Sequence, residues 1–266
     1  MARALAATIA LILLVTCGLF VVHPWWFPYS ISDSASSVDH QFAVTFVVCG
    51  VLFALAQGTM AWFVWRYSGD RQGPEMRGGR GNARLERAWA AVVTVLFVSL
   101  GVAGYRVSAR TTLQEPVPGA LRVEVWGEQF AWYFRYPGPD GQFGPVHPDL
   151  MNDGTGNYLG LDRKHDTAAR DDIVTATFTV PVDQPVDLTV RSKDVIHSFF
   201  VRELRIKQDA IPGSMSAIHF TAERTGRYEI VCSELCGLGH YKMHADLDVV
   251  TADEFQGWLA RQSQSQ

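Results

Sequence analysis

The sequence predicts a chain in two parts: two or three transmembrane α-helices, followed by an all-β domain built as a Greek-key sandwich or barrel. Three observations carry this reading. The first third is filled by apolar runs, each near the ~20 residues that span a bilayer. An arginine-rich stretch separates the last two runs. From Leu121 onward the hydrophobic period changes to two, the signature of half-buried strands. The chain has 266 residues and a formal net charge of −4. That length allows one or two domains, and the charge gives no reason to expect nucleic acid as a partner.

The first apolar run is Ala4 to Val22, the second Phe42 to Trp65 and the third Ala88 to Tyr105. The latter two hold no charged residue. The first is open to two readings, a cleaved signal peptide or a retained helix. Arg3 alone is a weak positive start for a signal, and no clear small-x-small cleavage site follows. Both readings carry the next loop outward, where Trp25 and Trp26 suit an interfacial aromatic belt. Arg66, Arg71, Arg77, Arg80, Arg84 and Arg87 lie between the second and third spans. By the positive-inside rule this loop, 66–87, is cytoplasmic, and its glycines and arginines argue against independent folding. Residues after Arg106 then face the opposite side, through a linker over 107–120.

The outward domain, 121–250, reads as strands LRVEVW, FAWYFRY, VTATFTV, VDLTVRS, VIHSFFV, SMSAIHF, GRYEIVC and ADLDVV. All are rich in Val, Thr and aromatics, and short Gly, Pro, Asp and Asn clusters separate them. Many short strands without helices between them imply two packed sheets or a barrel. A helix closes the chain over 251–266, where Thr251 and Glu254 have capping-box spacing. Residues Pro137 to Asp172 are strand-poor; a loop of this length is usually functional or disordered. His147 and His165 fall in it and read as solvated.

One short segment carries the chemistry: CSELCGLGHYKM, Cys232 to Met243. A disulfide between Cys232 and Cys236 would close a very small loop and leave His240 and Met243 unexplained. Two thiols, an imidazole and a thioether in one turn are soft metal donors. Zinc does not normally use methionine, whereas copper takes thiolate, imidazole and a long axial thioether. Two thiolates can bridge two copper ions, and each ion then wants its own imidazole. A second histidine must come from elsewhere; His197, His219 and His244 are available. The remaining cysteines, Cys17 and Cys49, lie in apolar runs and read as small buried hydrophobes.

SKDVIHSFFVRELRIKQDAIPG followed by TGRYEIVCSELCGLGHYKM resembles cytochrome c oxidase subunit II, over roughly Phe42 to Leu259. The motif is one upstream His and then C-x-E-x-C-x-x-x-H-x-x-M. The resemblance implies a cupredoxin-like domain with a dinuclear copper centre, CuA. In it Cys232 and Cys236 bridge two copper ions, and His197 and His240 supply the imidazoles. Met243 and the backbone carbonyl of Glu234 are the weak ligands. It also implies a magnesium or manganese ion at the Glu234 side chain, shared with subunit I. Glu86 of NARLERAW matches a carboxylate at the mouth of a proton pathway, and Asp194 an acidic residue that docks the donor. WGEQFAWYFRY departs from the family's G-H-Q-W-x-W. Phe130 stands where the family has its electron-input tryptophan, while Trp132 keeps the second one.

The family role is electron transfer from a c-type cytochrome to haem in subunit I, with subunit III as a further partner, in the bacterial cytoplasmic membrane with the copper domain outside. A low-dielectric shell of Phe199, Phe200, Val231 and Leu238 is expected around the metals. A quinol oxidase subunit would lack the copper ligands, and nitrous oxide reductase needs a much larger catalytic domain. A nitric oxide reductase-like complex with a CuA subunit and a membrane-tethered copper carrier remain open alternatives. No C-x-x-C-H is present, so donor haem must be on another chain.

Overall fold

The computed structural model describes residues 2–22, 28–67, 81–112 and 117–265. Trp25, Trp26, Arg71, Arg77 and Arg80, on which the interfacial belt and most of the positive-inside argument rest, lie outside the described residues. The chain divides into two units. One comprises 1–28 and 39–107, the other 29–38 and 108–266.

The first unit is helical. Helices α1 (Ala2–Val22), α2 (Ala35–Arg66) and α3 (Ala83–Thr112) contain the apolar runs. All three are long and apolar enough to cross a membrane, with mean hydropathies of 2.8, 1.9 and 1.9. The helices run further than the apolar runs because polar residues continue the backbone ladder. At the start of α3, Asn82 Oδ1 accepts from the Arg84 and Leu85 backbone N–H groups, which satisfies donors that a helix start leaves free. Phe20 of α1 meets Phe46 of α2 edge-on, with ring centroids 5.7 Å apart. Gln41 of α2 donates to the Leu100 carbonyl of α3 at 3.4 Å.

The second unit is a sandwich of two five-stranded sheets, as the strand pattern predicts. Strands β1 (Leu121–Glu128), β2 (Ala131–Tyr136), β3 (Ile173–Thr175), β5 (Pro185–Ser192) and β8 (Ser216–Thr221) form the first, in order β3-β2-β1-β5-β8. The second contains β4 (Phe178–Pro181), β6 (His197–Val201), β7 (Ile206–Ala210), β9 (Gly226–Cys232) and β10 (His244–Val250), in order β4-β10-β9-β6-β7. Most pairs are antiparallel; β1 with β5 and β4 with β10 are parallel. Strand β5 shows why the period was legible, since every second residue is buried. The inward set builds an aromatic core in which Phe134 stacks on Phe178 at 4.9 Å and Phe199 meets Phe178 at 6.2 Å. Each such ring contributes about 1.5–3 kcal/mol by burial.

Four expectations need correction. VTATFTV is not one strand but two: β3 pairs with β2 in the first sheet, and β4 pairs with β10 in the second. The chain changes sheets there, and alternation continues across the break. Strand β7 was missed because Lys207, Gln208 and Asp209 are not buried, as suits a charged edge strand. Residues 29–38, read as part of the outward loop, pack into this unit and include the start of α2. Ile31 is fully buried, its N–H donates to the Glu203 carbonyl, and its own carbonyl accepts from the Glu223 N–H. Finally, the strand-poor segment 137–172 is folded. Leu159, Leu161 and Ala169 pack on Trp126, and Tyr158 stacks on Tyr133 at 4.5 Å. Short helical turns fill it, including α4 (Thr167–Arg170), whose first turn is capped by Asp166.

The closing helix, α5 (Ala252–Ser265), begins as its spacing predicts. The Thr251 N–H donates to the Glu254 carboxylate at 2.9 Å, and the Glu254 N–H donates back to the Thr251 hydroxyl at 3.4 Å. Its Trp258 packs against Tyr136 at 5.0 Å.

Candidate metal centre

Strands β6 and β9 lie side by side, with Phe199 opposite Cys232. This pairing brings His197, the first residue of β6, over the last residue of β9. The loop 233–243 then folds back so that the Cys232 N–H donates to the Met243 carbonyl at 3.1 Å. Two tight turns inside it, His240 N–H to the Gly237 carbonyl and Lys242 N–H to the Gly239 carbonyl, turn His240 and Met243 inward.

The donor atoms form one continuous cluster. Cys232 Sγ lies 3.9 Å from His197 Nδ1, 3.2 Å from the Glu234 carbonyl oxygen and 3.9 Å from Cys236 Sγ. Cys236 Sγ in turn lies 3.6 Å from His240 Nδ1 and 3.8 Å from Met243 Sδ. His197, Cys232 and Cys236 are buried and offer ligand atoms within 4.8 Å of one another. Donors of one tetrahedral ion with ligand distances of 2.0–2.3 Å stand about 3.5 Å apart, so the spacing suits metal. Both cysteines are free thiols, and their sulfur separation is far from bonding distance. The thioether in the cluster favours copper over zinc. A disulfide reading and a zinc reading both leave donors without a role.

Burial, and then the neighbouring Cys232, push the Cys236 thiol up from 9.0 to about 11. In the metal-free protein this thiol is therefore protonated at neutral pH, and metal must displace the proton. Between these values the folded chain holds a proton that the unfolded chain has released. Stability of the metal-free protein is fully present below about 9 and falls as pH rises toward 11. Denaturant midpoints measured across that window are expected to decline with pH, and a flat profile would contradict the assignment.

His219, His244, His165 and His147 lie elsewhere. His219 pairs with Asp187 at 3.4 Å on β5 and β8. His244 is exposed and contacts the Lys242 carbonyl. His165 pairs with Asp162, and His147 sits in the folded insertion.

Trp132 is 1% exposed and packs edge-on against His197 at 5.9 Å. Phe130 is partly exposed, and its ring lies directly over Gly237 and Gly239. Asp194 is not a freely solvated carboxylate, since it accepts hydrogen bonds from His197 Nε2 at 2.8 Å and from the Gln129 N–H at 2.8 Å. Burial alone would raise its pKa, but these bonds and one from the Val195 N–H hold the carboxyl below its ordinary value. In the expected apolar shell, Phe199 is fully buried while Leu238 is 98% exposed and contributes nothing. The Glu234 side chain is exposed, and Glu86 is exposed in the first turn of α3.

Gly127 and Gln129 were not anticipated. A Cβ on Gly127 would stand 2.9 Å from His197 Cδ2 and 3.0 Å from Trp132. A glycine inside a strand often marks such a close approach, and this was the one available signal. Gly127→Ala is expected to displace His197 and speed copper loss to a chelator by about tenfold, the scale of outer-shell changes.

Residues 121–250 match the family described as cytochrome c oxidase subunit II, periplasmic domain. An alternative cytochrome c oxidase subunit 2 from Bradyrhizobium diazoefficiens is 32% identical over 261 residues, covering 96% of this chain and 92% of that one. A cytochrome c oxidase subunit 2 from Cereibacter sphaeroides is 30% identical, covering 88% of this chain and 78% of that one. Among solved structures, the periplasmic domain of subunit II of cytochrome oxidase from Bradyrhizobium japonicum is 31% identical, covers 55% of this chain and 94% of that one, and has a TM-score of 0.41. With its apolar helices, two-sheet β-sandwich and sulfur-rich cluster, this is a membrane-anchored subunit of an oxidoreductase complex. The chain belongs to the cytochrome c oxidase subunit II family.

Proposed function

We propose that the cluster holds two copper ions as a CuA centre that receives electrons from a c-type cytochrome and delivers them to haem in subunit I. Cys232 and Cys236 would bridge the pair, His197 and His240 would each bind one ion through Nδ1, and Met243 and the Glu234 carbonyl would complete the set. The observation that carries this is the meeting of His197 Nδ1, from a distant strand, with the Cys232–Met243 loop. When bound, the copper pair supplies one-electron exchange with little change of geometry.

The chain's own residues prepare that exchange. Two thiolates offset the charge of the metals. Ligands at the start of β6, at the end of β9 and in the hydrogen-bonded loop 233–243 allow little rearrangement, which suits a site held by rigid elements. Phe199 and Trp132 exclude water behind His197, which lowers the local dielectric. Phe130 covers the outer side of the loop at the position where electrons would come in. The exposed Glu234 carboxylate would bind a magnesium or manganese ion with subunit I, and Glu86 would stand at the mouth of a proton route. Subunit III completes the assembly. The β-unit would lie outside the bacterial cytoplasmic membrane, with the arginine-rich 66–87 loop inside.

The test is stopped-flow oxidation of a ferrous c-type cytochrome by the intact complex, before and after copper removal. Oxidation is expected to cease without copper and return on reloading. Full turnover by the copper-free complex would exclude the reading.

A further inference from the structure

We propose that Gln129 and Asp194 form a latch that ties both halves of the metal cluster to the β1–β2 turn and fixes the tautomer of His197. The inference rests on the copper reading above and extends it to two residues that touch no metal.

The latch is a continuous hydrogen-bonded chain. Gln129 directly follows β1, next to the register pair Glu128–Ala131. Its side-chain Nε2 donates to the Cys236 carbonyl at 2.5 Å, and its backbone N–H donates to Asp194 Oδ2 at 2.8 Å. Asp194 Oδ1 accepts from His197 Nε2 at 2.8 Å and from the Val195 N–H at 2.7 Å. One residue of the turn therefore holds the cysteine loop with its side chain and the histidine segment with its backbone.

The chemistry fixes the direction of each bond. A carbonyl only accepts, so the Gln129 amide must present its nitrogen to Cys236. An ionised carboxylate also only accepts, so His197 must carry its proton on Nε2. That leaves the Nδ1 lone pair free on the side of Cys232 Sγ. A carboxylate behind a ligating imidazole orients the ring and raises its basicity. The packing agrees: Gly237 has φ 139°, and a Cβ there would stand 2.7 Å from Gln129 Nε2. The loop has made room for the amide at the residue after Cys236. Asp194 is thus a positioning residue for His197, and Gln129 one for Cys236.

The experiment uses the full-length chain in its assembled complex, with Gln129→Met, Asp194→Ala, Asp194→Asn and the double variant Gln129→Met/Asp194→Ala. Copper release to a chelator is expected to speed up about tenfold in Gln129→Met and more in Asp194→Ala, with Asp194→Asn between wild type and Asp194→Ala. The copper hyperfine pattern should change in each. The double variant should fall short of the product of the single effects, because the residues act through one chain of bonds. In the metal-free chain, ¹⁵N spectra should show His197 protonated at Nε2 in wild type and as a tautomer mixture in Asp194→Ala. Wild-type release rates and spectra in both Gln129→Met and Asp194→Ala would overturn the latch while leaving the copper reading intact. Mixed tautomers in the metal-free wild type would overturn it whatever the copper result. A wild-type chain that takes up no copper pair would instead remove the functional reading itself.

Discussion

Cys236→Ser is expected to abolish the dinuclear copper signal and, with it, copper-dependent oxidation of a c-type cytochrome. Cys236 Sγ stands at the middle of the cluster, within 3.6–3.9 Å of His240 Nδ1, Met243 Sδ and Cys232 Sγ. A serine hydroxyl is harder, shorter by about half an ångström, and stays protonated at neutral pH, so it cannot bridge two soft ions. The loss should exceed the 10–100-fold cost of removing an outer partner. Electron paramagnetic resonance of the purified complex, with cytochrome oxidation measured on the same sample, reads both effects. A variant that kept the shared signal would show that Cys236 is not a bridge.

The second large effect is on stability. Arg135→Met is expected to destabilise the β-unit by about 3–5 kcal/mol, the cost of stripping a buried charge from its partners. Arg135 is 1% exposed. Its guanidinium donates to Asp172 through Nε and Nη2, to Glu124 Oε2 at 3.1 Å and to the Gly144 carbonyl. Arg191 holds the other oxygen of Glu124 at 3.2 Å, and Trp126 Nε1 donates to Glu124 at 3.1 Å. Burial pushes the Asp172 carboxyl above its ordinary value even with Arg135 beside it, so losing the arginine strips that group of its charged partner and leaves it the Gly144 N–H at 3.1 Å. Asp172 and Gly144 belong to the folded insertion and its edge, and the arginine thereby anchors the insertion to β2. Denaturant unfolding followed by near-ultraviolet circular dichroism should show the midpoint falling. Protease cleavage within 137–172 should also appear at lower denaturant. An unchanged midpoint would mean the network contributes no net stability.

These effects show which parts of the molecule the sequence exposes. The sandwich was legible because strands such as β5 alternate cleanly between core and solvent, and the apolar spans because they are long and uncharged. Strand β7 was hidden by its solvent-facing Lys207, Gln208 and Asp209. The change of sheet between β3 and β4 was hidden because alternation does not reveal which partner a strand takes. The insertion looked unstructured because its few apolar anchors, Leu159, Leu161 and Ala169, follow no period. They pack on the outer face of the first sheet, around Trp126, and not in the main core.

The metal site divides the same way. Cys232, Cys236, His240 and Met243 are adjacent in sequence, so their donor chemistry could be read directly. His197 came from family resemblance, since nothing local says that β6 lies beside β9. Gln129 and Asp194 in its orienting role depend on segments that meet only in the folded domain, and no local pattern announces them; Gly127 carried only the general signal of a glycine inside a strand. Trp132 was legible as an aromatic of the site but not as a buried one, because inward and outward faces of β2 both carry aromatics.

The most direct measurement is total metal per chain together with the electron paramagnetic resonance spectrum of the intact, oxidised protein. Two coppers per chain with one unpaired electron shared equally between the nuclei is the expected result. A single copper, a zinc ion, or an electron confined to one nucleus would contradict a copper pair bridged by Cys232 and Cys236.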